Sequence, residues 1–361
     1  MSALTARLQA GLATAGRNAG PLTLRALPVI GRWTAAILGA VLIFSILISF
    51  RGADPISVFT DMWEATFTRE RSVSEIFVRM APFALAALAV VIPARAGMIN
   101  VGGEGQVIVG GVGAAGVGLL LDQHLAGPVV LVLMFIGGAL AGAAWSGIAA
   151  LLRLVFNVNE AVTTLLLNFV AIDLLLFLIY SPWRVSPVQQ PASREIADGA
   201  QLPLIAGTKV HIGIIIAVVA AIVLAIALAK TRWGFNLSVV GGNAEAARRA
   251  AMPVTLVLLG ALLVGGALAG LAGVITLTGE ELKLRPGFAA QVGYIGFLAS
   301  WLARHKPVPV LIAAFVLASL SVASDSLQLD AGLPAATVHV LTALILMAVL
   351  GWTAAKKRRD A

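Results

Sequence analysis

From Ile212 to Ala229 the chain carries no polar side chain (IGIIIAVVAAIVLAIALA), and a run of that kind has few places to fold. A helix crossing the roughly 30 Å hydrocarbon layer of a bilayer takes about 20 apolar residues. In lipid the backbone must satisfy its own hydrogen bonds, which leaves helices and closed barrels as the spanning forms. Long, continuous apolar runs lack the alternation of a barrel strand, so the helix remains. About ten segments qualify by this length rule: 29–50, 76–93, 98–121, 128–152, 160–181, 211–229, 254–278, 287–303, 307–327 and 334–354. Composition agrees, with 60% hydrophobic and 12% charged residues and a mean hydropathy of +0.98. Soluble domains are about a quarter charged.

The formal charge of +8 does not point to nucleic acid. Basic residues of membrane proteins gather on the cytoplasmic side. With the N-terminus inside, most of the 25 Lys and Arg fall in cytosolic segments. These are Arg7, Arg17, Arg25 and Arg32; Arg95; Arg153; Lys230, Arg232, Arg248 and Arg249; Arg304 and Lys306; and Lys356, Lys357, Arg358 and Arg359. The pattern predicts a cytosolic tail over 1–28, a single transmembrane domain over 29–354, and a basic cytosolic tail over 355–361. The longest internal cytosolic loop is 230–253. Ten spans divide as five plus five, and an odd number per half inverts one half against the other. The expected fold is an all-α membrane protein of two inverted five-helix halves, in contact with lipid.

Several chemistries are excluded. There is no cysteine, and His124, His211, His305 and His339 are scattered, so no metal site is expected. GVGAAG at 111–116 matches a dinucleotide fingerprint but lies inside an apolar span with no strand before it. GLATAGRN at 11–18 has Arg17 and Asn18 where a phosphate-binding loop needs Lys and Ser or Thr. The chain therefore has no nucleotide site of its own, and any use of ATP belongs to a partner. GGALAG recurs at 137–142 and 265–270 and reads as small-residue helix packing.

Polar groups within a membrane are costly and concentrate at cavities or helix contacts. Three clusters stand out. RAGMINVGGEGQ (95–106) carries Asn100, Glu104 and Gln106 among four glycines that weaken helical continuity. It reads either as the wall of a solute cavity or as a turn near the headgroups. FNVNEAVTTLLLNFVAID (156–173) carries Asn159, Glu160, Thr163, Thr164, Asn168 and Asp173. Asn159 and Glu160 read as a helix cap or as ligands, and Asn168, one turn after Thr164 on the same face, as a helix–helix bond or a solute contact. TRWGFNLSVVGGNAEAARRAAMP (231–253) offers a short helix after Asn243, with Glu245, Arg248 and Arg249, for a partner or for headgroups. Asp54, Asp61 and Glu64 in the first outside loop read as part of a solvated connector or as a contact for a delivery protein.

These three stretches, in this order, resemble the signatures of permease subunits of bacterial ABC importers for nucleosides and simple sugars, relatives of branched-chain amino acid permeases. The resemblance covers about residues 75–350. It departs from the usual pattern at 280–307 (EELKLRPGFAAQVGYIGFLASWLARHKP), where the first part differs. It implies a non-enzymatic subunit of the bacterial inner membrane with a fold similar to type II importers. It implies a second permease, usually making a heterodimer, a cytosolic ATPase that binds ATP and magnesium, and an extracytoplasmic binding protein or lipoprotein. It makes 243–250 the coupling helix, with Gly241, Gly242, Asn243, Glu245, Arg248 and Arg249 at the ATPase. The solute route is expected to use Asn100, Glu104, Gln106, Asn159, Glu160, Thr164 and Asn168. The rival readings are a self-contained secondary transporter, with Glu104, Glu160 or Asp173 relaying protons, and a membrane scaffold without transport.

Overall fold

The computed structural model describes residues 38–50, 52–185 and 190–330, together with 340, 343 and 344. The expected tails at 1–28 and 355–361 lie outside these residues, as does nearly all of the span expected at 334–354. The chain divides into two units, Met1–Thr60 with Leu333–Ala361, and Asp61–Gly332.

In the first unit, helix α1 (Leu38–Ser49) is a short apolar helix. Its Phe44 meets Phe59 edge-on at a centroid distance of 5.8 Å. Asp54 accepts the Ile56 and Ser57 amides and so starts α2 (Pro55–Trp63), which has proline at its first position.

The second unit holds α3 (Glu70–Arg95), α4 (Gly103–Leu121), α5 (Gly127–Phe156), α6 (Glu160–Tyr180) and α7 (Gly213–Lys230). Two short helices follow, α8 (Arg232–Gly242) and α9 (Ala244–Arg249). Then come α10 (Val254–Thr276), α11 (Val292–Leu302) and α12 (Pro307–Asp330). Among the described residues, seven helices are long and apolar enough to cross a membrane and no strand occurs.

Helix α3 is the centre. Residues Ala84 to Ala89 have no solvent exposure, as an all-round apolar sequence requires. Against it pack α7, α10, α11 and α12, and α10 in turn packs on α4 and α5 through small residues. The two GGALAG copies face each other: a Cβ on Gly266 would fall on the Gly142 carbonyl, and one on Gly142 would lie 2.8 Å from the Gly270 Cα. Ser146 donates to the Leu262 carbonyl at 2.8 Å across the same seam. Without a hydrophobic drive between helices in lipid, such close backbone approach supplies the packing. The outer faces carry aliphatic side chains instead, among them Val132, Ile136 and Leu140 on α5 and Ile215, Val219 and Ile226 on α7.

Two expected spans differ from what is seen. The 98–121 segment is helical only from Gly103, because the chain leaves α3 through Gly97 at φ 78° and runs without helix to Gly102. The 287–303 segment becomes the 11-residue α11, about 16 Å long at 1.5 Å per residue and so half a crossing. It cannot start earlier because Leu282, Ala289 and Gln291 all take left-handed backbone conformations.

Candidate functional site

The unwound stretch before α4 leaves peptide groups without helical partners. Burying such groups unpaired costs several kcal/mol each in an apolar medium. Helix α6 meets the need. Glu160, Thr164 and Asn168 recur every four residues and therefore share one face. Glu160 accepts the Ile99 amide at 3.3 Å and Thr164 the Val101 amide at 3.2 Å. Asn168 donates to the Val101 carbonyl at 3.0 Å and accepts the Gly105 amide at 2.8 Å. The glycines permit this approach: a Cβ on Gly102 would lie 2.8 Å from the Thr164 Cβ, and one on Gly105 3.0 Å from the Asn168 Cα. Asn159 caps α6, accepting the Ala161 amide at 2.9 Å. Glu160 also pairs with Arg153 at 3.5 Å.

Asn100 and Gln106 form a reciprocal amide pair, each donating to the other at 3.0 Å, and Asn100 accepts the Gly102 amide as well. Both are buried. They close the unwound stretch into a fixed loop.

Glu104 sits in the first turn of α4. Its carboxylate accepts the amides of Gln291 at 2.6 Å, Gly293 at 2.8 Å and Tyr294 at 3.4 Å. These are the unpaired amides at the start of α11. One carboxylate thus lies at two helix N-termini, each carrying partial positive charge. Gly293 allows the contact, since a Cβ there would fall on the Gly103–Glu104 backbone. Tyr294 returns to α6, its hydroxyl accepting from Asn168 at 3.3 Å. In this conformation Asn100, Glu104, Gln106, Thr164 and Asn168 are bonded within the chain. Local sequence does not reveal the α11 turn as the partner of Glu104; the GF…GYIG string at 287–296 is its trace.

The third cluster joins the first. Thr231 caps α8 through the Gly234 amide at 3.2 Å, and Asn243 caps α9 through the Ala246 amide at 2.9 Å. Gly241 presses on the end of α3. A Cβ there would fall on the Arg95 carbonyl oxygen, and a Cβ on Gly97 would lie 3.2 Å from the Gly241 oxygen. Gly242 has nothing within 4 Å. Beyond this contact α9 buries Ala247 and exposes Glu245, Arg248 and Arg249, which pair at 2.9 and 3.3 Å. The 95–106 stretch therefore touches both other clusters: Gly241 at one end, Glu160, Thr164 and Asn168 along its length, and α11 at the other end.

The family described as branched-chain amino acid transport system / permease component matches residues 72–350. The chain is 35% identical over 322 residues to a glucose ABC transporter permease of Haloferax volcanii, covering 86% of this chain and 84% of that one. It is 30% identical over 302 residues to a guanosine ABC transporter permease of Bacillus subtilis, covering 81% and 85%. It is 27% identical over 332 residues to a nucleoside ABC transporter permease of Lactococcus lactis, covering 88% of each.

Proposed function

The chain belongs to the branched-chain amino acid transport system permease component family, and from that premise we propose that it is the membrane permease subunit of an ATP-driven importer of a small polar solute. The solute class is a nucleoside, with a simple sugar next. The guanosine and nucleoside permeases among its relatives support the first, and the glucose permease the second.

One observation carries the mechanism: the close contact of Gly241 with Arg95 and Gly97. A cytosolic ATPase grips the exposed face of α9, with Asn243, Glu245, Arg248 and Arg249 at the contact and Gly241 and Gly242 behind it. Nucleotide and magnesium are bound by that ATPase. Movement of α9 shifts α8, and α8 has no slack against the end of α3. The loop of 97–106 is tied to α6 by its hydrogen bonds with Glu160, Thr164 and Asn168 and to α11 through Glu104, so the displacement reaches the α4–α11 junction.

There the route opens. Asn100, Gln106, Thr164 and Asn168 trade internal bonds for bonds to solute and water, while Asn159 and Glu160 hold its cytosolic end and Glu104 its wall. A second permease, forming a heterodimer, completes the route, and an extracytoplasmic binding protein or lipoprotein delivers the solute. The subunit sits in the bacterial inner membrane with both ends cytosolic, its spans making ten helices in two inverted halves.

Uptake of radiolabelled guanosine and glucose by proteoliposomes holding the full complex tests this. ATP-dependent accumulation of guanosine above glucose is expected, and accumulation of neither counts against it.

A further inference from the structure

Helix α6 buries one face, with Thr164, Asn168, Ala171, Leu175 and Ile179, and exposes the other. Leu166, Phe169, Val170, Phe177 and Tyr180 form the exposed stripe. Asp173 lies in the middle of that stripe and is exposed too. Among the described residues it makes no hydrogen bond or ion pair. It is thirteen residues from Glu160 and seven from Tyr180, so roughly 20 Å and 10 Å from the two ends of the helix. A charge at such depth is expensive against acyl chains, and an aspartate is too short to reach the headgroups. Several other carboxylates of these helices are paired: Glu104 caps α11, Glu160 pairs with Arg153, and Glu75 and Asp325 pair with Arg79 at 2.9 and 2.7 Å. The outer stripes of α5 and α7 at Val132, Ile136, Leu140, Ile215, Val219 and Ile226 are aliphatic, as a lipid surface requires. Asp173 sets its stripe apart from these aliphatic ones.

Its neighbours indicate the chemistry. Phe169 and Phe177 stand one turn before and one turn after Asp173, 58% and 63% exposed. A carboxylate between two open aromatic rings matches a neutral solute with a flat or apolar ring face and hydroxyl or amino donors at its edge.

We propose that Phe169, Asp173 and Phe177 line the solute route where α6 faces the second permease subunit, the rings packing on the solute and the Asp173 carboxylate accepting its hydroxyl or amino hydrogens. This rests on the transport function proposed above and adds a contact site to it.

The absence of cysteine from the chain makes the test direct. Asp173→Cys and, on the lipid-facing stripe of α5, Ile136→Cys are placed singly in the full complex in proteoliposomes. Each is treated with a charged, water-borne methanethiosulfonate, and labelling of this subunit is read after separation on a gel. The Asp173→Cys variant should react, and saturating guanosine or glucose with the binding protein should slow the reaction. The Ile136→Cys variant should not react. Asp173→Asn should raise the KM for uptake by about tenfold or more while the subunits still co-purify, since a charged acceptor is lost.

Three results overturn the proposal: labelling of Asp173→Cys by a lipid-soluble maleimide only, which puts it against acyl chains; labelling by neither reagent, which puts it in a dry subunit seam; or labelling by the charged reagent at a rate that neither solute changes. ATP-driven uptake by the unlabelled Ile136→Cys complex is the separate check on transport. Its failure counts against the transport function, whereas intact uptake with any of the three results above counts against the Asp173 site alone.

Discussion

The Gly293 amide donates to the Glu104 carboxylate at 2.8 Å, joining the first turns of two helices across 189 residues of sequence. A short helix such as α11 is marginal alone, and its unpaired amides need an acceptor. The acceptor arrives from α4, which itself begins where the chain has just been unwound. Each helix start thus depends on the other, and both depend on the loop that touches Gly241.

The first expectation follows from that bond. Glu104→Ala leaves three amides at the start of α11 without their acceptor in a site where Glu104 is only 5% exposed. Thermal unfolding in detergent should fall by the equivalent of about 2–5 kcal/mol, and transport should be lost. Glu104→Gln keeps the shape and one acceptor oxygen, so it should lie between the two. An unchanged midpoint in the alanine variant would remove the cap from the account.

A paired glycine test isolates the transmission contact. Alanine is the better helix former by about 1 kcal/mol, so on propensity alone both Gly241→Ala and Gly242→Ala would favour α8. The first places a methyl on the Arg95 carbonyl, and the second meets nothing within 4 Å. Gly241→Ala should insert but lose most uptake, and Gly242→Ala should transport as the parent does. Equal uptake in the two variants would show that the α3–α8 contact carries no motion.

The exposed ion pairs of α9 add little stability, since surface pairs contribute about 0–1 kcal/mol. Glu245→Ala with Arg248→Ala should therefore leave insertion and melting unchanged. ATP hydrolysis by the partner should become uncoupled from transport. ATPase and uptake rates measured on the same proteoliposomes separate the two effects.

His305 lies between α11 and α12, its Nδ1 3.0 Å from the Ser300 hydroxyl. Burial lowers its pKa from the ordinary 6.5, and the nearby Arg95 lowers it further. The folded protein then binds fewer protons than the unfolded chain as pH falls below 6.5, so stability drops from there until the folded form also protonates. Relative to the parent, His305→Asn should lose less melting temperature as pH falls from 7 to 5. An identical pH dependence in variant and parent would contradict the assignment.

Much of this was legible in the sequence, and the part that was not has a physical reason. Apolar length locates the seven long helices, because the length needed to cross a bilayer depends only on local sequence. The glycines of 97–105 announce a break, Asn159 announces a helix cap, and Thr164 and Asn168 announce a polar face. That Glu104 meets Gln291 and Gly293 is a long-range contact, invisible to periodicity. The 287–303 run has enough apolar residues for a span, yet its helix begins only at Val292, since the backbone turns at Ala289 and Gln291 override composition. Asp173 was visible as an ionisable residue, but only the packing of α6 shows that it faces away from the rest of its own unit.

Solute entry into proteoliposomes with each energy source supplied alone tests the central claim most directly. The account predicts that guanosine accumulates only when the companion ATPase, the binding protein and hydrolysable ATP are all present, and that an imposed proton gradient drives nothing. Accumulation by this chain under a proton gradient, with no ATP and no partner, would contradict it.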